Sequence, residues 1–192
     1  GSAAYKQGSW ETSFLHTGGG FHDTFPRVLE KLKVAVVEAD AACGAPILLE
    51  NGGKIDSRDL VPRTIEHHVV LPGGSLPYPE HHDPGSAYTV DVLLCAPSAF
   101  TGAPFSTLEA DGTTATHDLF AARGDGMVFQ SHKFHMVGPV ETGERRVLIV
   151  EFWIGEARTC AHRCERHHGA CGYTARESWW RRVFANIASD EA

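Results

Sequence analysis

Long apolar runs, an excess of basic residues and internal repeats are all missing from this chain of 192 residues. No apolar stretch approaches the roughly 18 residues that a membrane-spanning helix requires, so the sequence predicts no transmembrane segment. Its 24 Asp and Glu outnumber its 17 Lys and Arg, whereas a protein that coats nucleic acid carries a basic stripe. We therefore expect neither a membrane nor a nucleic acid among its partners.

Linkers rich in proline, glycine or serine are also missing, and the length is close to that of one domain. We expect a single domain over residues 1–192, in which residues 155–192 form a Cys/His-rich segment and a terminal helix packed on the core. Residues 1–4 begin with Gly-Ser and resemble the remnant of an expression tag, so the sequence leaves the cellular compartment open.

Helical periodicity occurs only at the two ends of the chain. The first helix is predicted from Thr24 to about Ala42, with Asp23 as its N-cap, Pro26 in its first turn and Gly44 after its end. The second is predicted from about Ala175 to Ala188. Because helical patterns do not alternate with strands, the sequence disfavours a doubly wound α/β fold.

Between these helices lie short β-rich runs separated by turn residues. The predicted strands are Ala45–Leu49, Thr64–Leu71, Tyr88–Cys95, Phe105–Glu109, His117–Ala121, Gly126–Gln130, Met136–Val140 and Arg146–Ile154. Eight short strands with turns between them favour a sandwich or jelly roll. The predicted fold class is therefore mainly β, with flanking N- and C-terminal helices.

The first chemically informative segment is LPGGSLPYPEHHDPGSAYTVDVLL, which contains the H-x-D pair His81 and Asp83. On an extended segment, side chains two residues apart point the same way. One imidazole and one carboxylate on one face are two of the three ligands of a 2-His-1-carboxylate iron site. The pattern alone discriminates little in a chain with 12 histidines, because two polar residues of a surface loop would produce it too.

A second segment, GDGMVFQSHKFHMVGPVETGERRVLIVEFW, supplies a further histidine and an unusual arginine. His135 lies between two short predicted strands. Arg145 begins a continuous apolar strand, where a cation must be paired or desolvated at a cost of several kcal/mol. A carboxylate ligand would resolve that cost, because its two oxygens match the guanidinium fork. The segment therefore predicts a third metal ligand together with a carboxylate clamp.

Together with Gly102 and Phe105, which lie between them, the two segments follow the pattern H-x-D … G-x-x-F … H-x-V-x-P-V-x-x-G-x-R. This pattern resembles that of the Fe(II)/2-oxoglutarate-dependent dioxygenases of the prolyl 4-hydroxylase-like branch. The matching residues are His81, Asp83, Gly102, Phe105, His135, Val137, Pro139, Val140, Gly143 and Arg145. The resemblance covers about Thr64 to Trp153. It implies a double-stranded β-helix (jelly-roll or cupin-like) core, which agrees with the strand pattern.

The resemblance also implies a reaction and its ligands. His81, Asp83 and His135 would bind Fe(II), and Arg145 would bind the far carboxylate of the co-substrate 2-oxoglutarate. An unactivated C–H bond would be hydroxylated by O₂ while 2-oxoglutarate is converted to succinate and CO₂, with ascorbate as a candidate accessory reductant. The substrate stays open among peptidyl proline, another protein side chain, a free amino acid and another small metabolite, because substrate loops vary most.

Two further pocket candidates come from residues close to the H-x-D pair. Many members of the family place an aromatic hydroxyl at a position that here falls at about Val70, which has none. His68 shares the face of that position by period two, and Tyr78 lies three residues before His81. A hydrogen-bonded strand histidine and a tyrosine packed in a turn are the simpler alternatives for these two residues.

Three residues of the strand after the motif share one face by alternation: Thr89, Asp91 and Leu93. If the family register holds, Thr89 and Leu93 border the co-substrate, as does Val137 in the second segment. Asp91 would be a costly buried charge unless it meets a cation or a substrate amine. A shift of register by one residue would instead place it in water.

The C-terminal sequence CAHRCERHHGAC allows three interpretations. Thiolates at Cys160, Cys164 and Cys171 could bind tetrahedral zinc, but the spacing C-x3-C-x6-C is not one of the tight zinc patterns. A local disulfide in an oxidising compartment is favoured over zinc, and free thiols are the third interpretation.

The sequence is also compatible with two other functional classes. The first is a cupin-like metalloprotein that keeps the metal ligands, does not use 2-oxoglutarate and has no need of Arg145. The second is a non-catalytic, metal-stabilised interaction module with Trp179 and Trp180 as partner anchors. Those two tryptophans are more simply explained as core-packing residues of the terminal helix.

Overall fold

The computed structural model describes residues 4–160 and 162–163, with side chains from residue 7 onward. The strands are β1 (Ala4–Gln7), β2 (Trp10–Phe14), β3 (Val61–Val70), β4 (Tyr88–Leu93), β5 (Phe100–Gly102), β6 (Phe105–Leu108), β7 (Thr114–His117), β8 (Gly126–Gln130), β9 (His135–Val137), β10 (Val140–Gly143) and β11 (Arg145–Trp153). The α-helices are α1 (Gly20–Thr24) and α2 (Pro26–Ala42), and short 3₁₀ turns occur at Thr17–Gly19 and Pro97–Ala99. None of these helices has the length and apolar character needed to cross a membrane.

Three antiparallel sheets organise the strands. The largest has the order β1-β2-β3-β11-β4-β8, the second the order β7-β6-β9, and the third pairs β10 with β5. Chain neighbours are often not sheet neighbours, since β11 returns to lie between β3 and β4. This crossed antiparallel arrangement is that of a jelly roll, so the predicted fold class, mainly β with a jelly-roll core, is confirmed.

Two predicted strands were wrong. Residues 45–49 form no strand, and Leu48 makes only an isolated bridge with Lys54. The strand predicted at 117–121 lies at Thr114–His117 instead. A tight turn from Glu109 to Thr113 sets its register on β6, and turn geometry rather than local composition fixes strand ends in a hairpin.

The N-terminal region also differs from its prediction. Strands β1 and β2 were not predicted, although they extend the largest sheet. The long helix begins at Pro26 rather than Thr24, and Asp23 belongs to the preceding short helix and does not cap it. Proline at the first position has no N–H to leave unsatisfied, which explains the start at Pro26. The predicted helix at 175–188 lies outside the described residues.

The hydrophobic core lies between α2 and one face of the largest sheet. Its members are Phe21, Leu29, Val36, Ile55, Leu60, Ile65, Tyr88, Val90, Leu148, Val150 and Phe152. A buried carboxylate ties the helix to the sheet, because Asp40 accepts hydrogen bonds from the Tyr88 hydroxyl (2.6 Å) and from the N–H of Ile47 (2.7 Å).

The opposite face of the same sheet is polar. Directly paired residues of antiparallel strands share a face, and Ile149 pairs with both Glu66 and Asp91. Glu151 pairs with Thr89 in the same way. This face is turned away from the helices and forms a wall of the cavity that contains the candidate site.

Candidate metal and co-substrate site

Backbone hydrogen bonds bring the H-x-D loop and strand β9 together. The N–H of Asp83 donates to the carbonyl of Ser131, and the N–H of His135 donates to the carbonyl of His81, both at 2.8 Å. One potential ligand atom from each of His81, Asp83 and His135 lies within 4.8 Å of the others. The structure therefore brings the three predicted metal ligands together, although 52 residues separate Asp83 from His135 along the chain.

The protonation of His135 suits a metal ligand. Its Nδ1 donates to the carbonyl of Lys133 at 2.9 Å, so its Nε2 is left with the lone pair that faces Asp83 Oδ2 at 4.0 Å. Burial lowers the pKa of His135 and favours its neutral form. A carbonyl that accepts from the other ring nitrogen, and so selects the tautomer, is the usual support of a metal-binding histidine.

The Asp83 carboxylate is held on both of its oxygens. Oδ2 accepts from the Thr89 hydroxyl at 2.6 Å, and Oδ1 accepts from Arg163 at 2.7 Å and lies 3.4 Å from His81 Nε2. Burial alone would raise the pKa of Asp83, but the His81 interaction and the Arg163 charge outweigh it and hold the pKa well below its usual value. The carboxyl group is therefore ionised and oriented.

Two imidazoles and one oriented carboxylate form a donor set that fits a divalent iron. Such a set occupies one face of an octahedral ion and leaves the opposite positions for other ligands. The ring centroids of His81 and His135 lie 4.9 Å apart at 85°, so the two rings approach the common point from different directions. The residues present thus fit the group that the resemblance implies.

Arg145 is the second predicted feature of the site. It is only 3% exposed, it lines the same cavity, and its side chain forms no hydrogen bond or ion pair with another described residue. Burial lowers its pKa, and the charge of Asp91 opposes that shift. A guanidinium remains protonated in proteins, so the cavity contains a buried cation that lacks a direct partner within the described chain.

The turn before Arg145 depends on a glycine. Gly143 has a φ of +77°, and a Cβ atom there would lie 2.0 Å from the carbonyl oxygen of Ala99. Only glycine adopts this backbone conformation without strain and allows such a close approach. Gly143 therefore allows β10 to turn into β11 and places Arg145 at the first position of the strand.

The cavity has a volume of about 650 Å³ and contains most of the predicted site residues. Those that line it are His68, Tyr78, His81, Asp83, Thr89, His135, Val137 and Arg145. Tyr78 is 69% exposed and so lies at the opening. Leu93 is not part of the lining: it is fully buried at the end of β4 and pairs with Val147.

Asp91, for which the sequence left two orientations open, faces the cavity. Its side chain is 6% exposed. Burial raises the pKa of Asp91 to about 7, although the charge of Arg145 acts in the opposite direction. The alternative register, with this residue in water, is therefore wrong.

His68 is both a strand histidine with a hydrogen bond and a residue of the cavity wall. Its Nε2 donates to Glu66 Oε2 at 2.7 Å, and its ring meets Trp10 edge-on at 5.3 Å between centroids. Burial would raise the pKa of Glu66, but the hydrogen bond and charge of His68 lower it overall.

A buried ionic network beside the metal ligands was not predicted. Glu151 accepts from Arg63 at 3.0 Å, from the Ser86 hydroxyl at 2.6 Å and from Arg163. Arg163 also reaches Asp83, 80 positions earlier in the chain. The alternation of β3 and β11 could have indicated that Glu66 and Glu151 face inward, but no pattern in the sequence signals the fold-back of Arg163.

Of the three cysteines in the C-terminal motif, only Cys160 lies among the described residues. Cys160 is buried and its thiol donates to the carbonyl of His162 at 3.4 Å. Cys164, Cys171, Trp179 and Trp180 lie outside the described residues. Zinc binding, a disulfide and a docking role for the tryptophans therefore stay predictions.

Comparison with known proteins supports the fold rather than a close relationship. No protein-family model and no curated protein matches the sequence. Among solved structures, an oxidoreductase of the 2OG-Fe(II) oxygenase family from Burkholderia pseudomallei is similar with a TM-score of 0.59 and 14% identity, over 88% of this chain and 77% of that one. Two others support the same fold.

The first of these is SnoN, a non-heme α-ketoglutarate-dependent epimerase from nogalamycin biosynthesis. It has a TM-score of 0.52 and 16% identity, over 79% of this chain and 65% of that one. The second is a prolyl hydroxylase from Trichoplax adhaerens, in complex with a hypoxia-inducible factor peptide, with a TM-score of 0.50 and 14% identity over 76% and 63%. The chain therefore has the fold of the 2-oxoglutarate- and Fe(II)-dependent oxygenases, as its sequence motifs predicted.

Proposed function

We propose that this protein is an Fe(II)- and 2-oxoglutarate-dependent dioxygenase that hydroxylates an unactivated C–H bond. The observation that carries the proposal is the position of Arg145, a buried cation in the same cavity as His81, Asp83 and His135 whose side chain has no direct partner among the described residues. The three ligands alone would suit many metalloproteins. A guanidinium in the same cavity is the additional feature that a dicarboxylate co-substrate requires.

Each residue then has a defined task. His81, Asp83 and His135 would hold Fe(II), which when bound supplies the O₂ chemistry and the decarboxylation of 2-oxoglutarate to succinate and CO₂. Arg145 would bind the distal carboxylate and so fix the orientation of the oxo-acid end toward the metal ligands. Thr89 keeps the Asp83 carboxylate in position through its 2.6 Å hydrogen bond.

Aromatic side chains limit the access of water to the metal ligands. Phe105 stacks on His135 with centroids 5.7 Å apart at 23°, and Phe129 meets the same ring at 4.8 Å. Both rings line the cavity together with Ile149. An apolar wall beside the reacting groups favours productive reaction of the substrate over side reactions with water.

For the substrate we propose a peptidyl proline or another amino-acid residue. The exposed ring of Tyr78 at the opening of the cavity, and Trp10 in its wall, supply aromatic surface against which such a residue could pack. The prolyl hydroxylase from Trichoplax adhaerens, which shares the fold, is in complex with a peptide. Production of succinate in the presence of a panel of peptides and amino acids, with Fe(II), ascorbate and O₂, would identify the substrate.

The test of the site itself does not need the substrate. Under anaerobic conditions, Fe(II) and 2-oxoglutarate should together produce a weak visible charge-transfer band, which His135→Ala and Asp83→Ala should abolish. In Arg145→Ala the titration should show 2-oxoglutarate affinity reduced by about 10- to 100-fold, the equivalent of one hydrogen-bonded charge pair.

Arg146→Ala is the matched control for this titration. Arg146 follows Arg145 on the same strand, is exposed and pairs with Glu144, so its loss should leave the affinity unchanged. Equal affinities for the parent and Arg145→Ala would contradict the proposal and favour a cupin-like metalloprotein that does not use 2-oxoglutarate.

A further inference from the structure

Asp91 is a buried carboxyl group in the wall of the cavity. Its side chain is 6% exposed, it lines the cavity, and it forms no hydrogen bond or ion pair with the other described residues. Leaving a buried polar group unsatisfied costs about 1–3 kcal/mol, and more for a charged one. A buried carboxyl group without a hydrogen-bond partner at the wall of a cavity indicates that a bound ligand supplies the partner.

The position of Asp91 relates it to Arg145. Asp91 lies on β4 and is paired with Ile149 on β11 and with Met127 on β8. Of all charged groups, Arg145 acts most strongly on Asp91, and Asp91 acts most strongly on Arg145. The two side chains nevertheless form no ion pair with each other. The guanidinium of Arg145 and the carboxyl group of Asp91 both line the cavity.

The other charged groups around Asp91 are already engaged. They are Glu66 and His68 on β3, Glu151 on β11, Asp83 before β4, and Arg163. Glu66 is bonded to His68, Glu151 to two arginines, and Asp83 to Thr89 and Arg163. Strand β8 presents Met127 and Phe129, which carry no charge. Within this group, only Asp91 and Arg145 lack a direct partner in the described chain.

The ionisation of Asp91 indicates what kind of ligand would suit it. Burial raises its pKa to about 7, against the effect of Arg145, and the nearby carboxylates raise it further. Near neutral pH the group therefore carries a proton in much of the population. A carboxylic acid donates a hydrogen bond to a carboxylate, whereas an ionised Asp91 would repel one.

We propose that protonated Asp91 donates a hydrogen bond to the distal carboxylate of the oxo acid that Arg145 binds. Asp91 is then a specificity-determining residue for the co-substrate. While it is protonated, it favours oxo acids whose distal group is an anionic hydrogen-bond acceptor. This inference rests on the proposed use of 2-oxoglutarate. It adds that co-substrate binding retains one proton on the protein and weakens as that proton is lost.

The test is the affinity of the Mn(II)-loaded protein for 2-oxoglutarate, measured by isothermal titration calorimetry between pH 6 and pH 8.5. Mn(II) replaces Fe(II) so that no turnover occurs. For the parent, Kd should rise with pH, toward about tenfold per pH unit once the pH exceeds the pKa of Asp91, because each further unit removes the proton from most of the remaining population. Asp91→Asn keeps a donor that does not titrate, so its Kd should change less than about twofold.

Two controls isolate Asp91. Asp118→Asn changes an exposed carboxyl group outside the cavity and should keep the pH dependence of the parent. 2-Oxobutyrate has no distal carboxylate and should bind with no such dependence in either protein. Competition of protons with Mn(II) for its ligands weakens binding at low pH, which is the opposite sign and therefore separable.

Three results would overturn the inference. They are a parent Kd that stays constant with pH, a pH dependence that persists in Asp91→Asn, and binding of 2-oxoglutarate that strengthens as the pH rises. If 2-oxoglutarate does not bind, or binds equally well in Arg145→Ala, the proposed function itself fails. Binding that depends on Arg145 but not on the protonation of Asp91 overturns only the further inference.

Discussion

The two faces of the largest sheet are built from the same strands but have opposite character. One face packs Ile65, Val90, Val150 and Phe152 against α2, and all four side chains are almost completely buried. The other face presents Glu66, Thr89, Asp91, Arg145 and Glu151 to the cavity, and these are buried to nearly the same extent. Burial is therefore not what distinguishes the faces.

The difference lies in what each side chain contacts. On the helix side, burial of apolar surface contributes about 25 cal/mol per Å² to folding. On the cavity side, burial of charged groups costs free energy that partners must offset. The strands thus place stabilising and functional residues alternately, and adjacent positions of one strand are expected to respond differently to substitution.

The largest expected effect is on the apolar face. Phe152→Ala removes a fully buried ring from the core and should lower the free energy of unfolding by about 3–5 kcal/mol. Urea denaturation at constant pH measures it. Val34→Ala on the exposed side of α2 is the control and should change stability by about 0.5 kcal/mol or less. Equal effects of the two substitutions would contradict the assignment of this face as the core.

An effect of opposite sign is expected on the cavity face. Because the pKa of Asp91 is raised to about 7 in the folded protein from about 3.9 in an unfolded chain, stability falls as the pH rises through this window. Asp91→Asn removes this dependence, so relative to the parent it should gain about 1–3 kcal/mol between pH 5 and pH 8.

Urea denaturation at the two pH values tests this prediction. The exposed residue Asp118 provides the control, since Asp118→Asn should leave the pH dependence of the parent unchanged. A parent whose stability relative to Asp91→Asn is the same at pH 5 and pH 8 would show that Asp91 ionises without cost and that the cavity face is less desolvated than its burial indicates.

The smallest expected effects distinguish two adjacent residues of β4, Val90 on the core face and Thr89 on the cavity face. Val90→Thr places a hydroxyl in the core and should cost about 1–2 kcal/mol without changing Mn(II) affinity. Thr89→Val removes the hydrogen bond to Asp83 and should weaken Mn(II) binding by about 10- to 100-fold. Calorimetric titration with Mn(II) and urea denaturation of both variants separate the two effects, and identical responses would contradict the alternation of faces.

Much of the site could be predicted because its residues carry their own patterns. The H-x-D pair, His135 and Arg145 follow in a characteristic order, and the structure brings them into one cavity. The boundaries of short strands could not be predicted in the same way. The strand expected at 117–121 moved because a turn at Glu109–Thr113 sets its register, and turn geometry depends on both strands that it joins.

The orientation of Asp91 and the position of Leu93 show what strand alternation in the sequence cannot predict. Both share a face of β4 with Thr89, yet Leu93 is sealed at the end of the strand while Asp91 reaches the cavity. Alternation along one strand predicts a common face but not where the cavity ends. That depends on which residues of β11 and β8 lie opposite.

The sequence by itself determined which functional groups are available: two imidazoles, a carboxylate and a guanidinium. It also placed them in or beside short segments whose composition favours β-strands. Only the tertiary structure decided which charges are satisfied. Arg63 and Arg163 converge on Glu151 from 88 and 12 positions away, whereas Asp91 and Arg145 are left facing the cavity. Ion pairing depends on distance in space, and for residues far apart in the chain that distance is set by strand order and register.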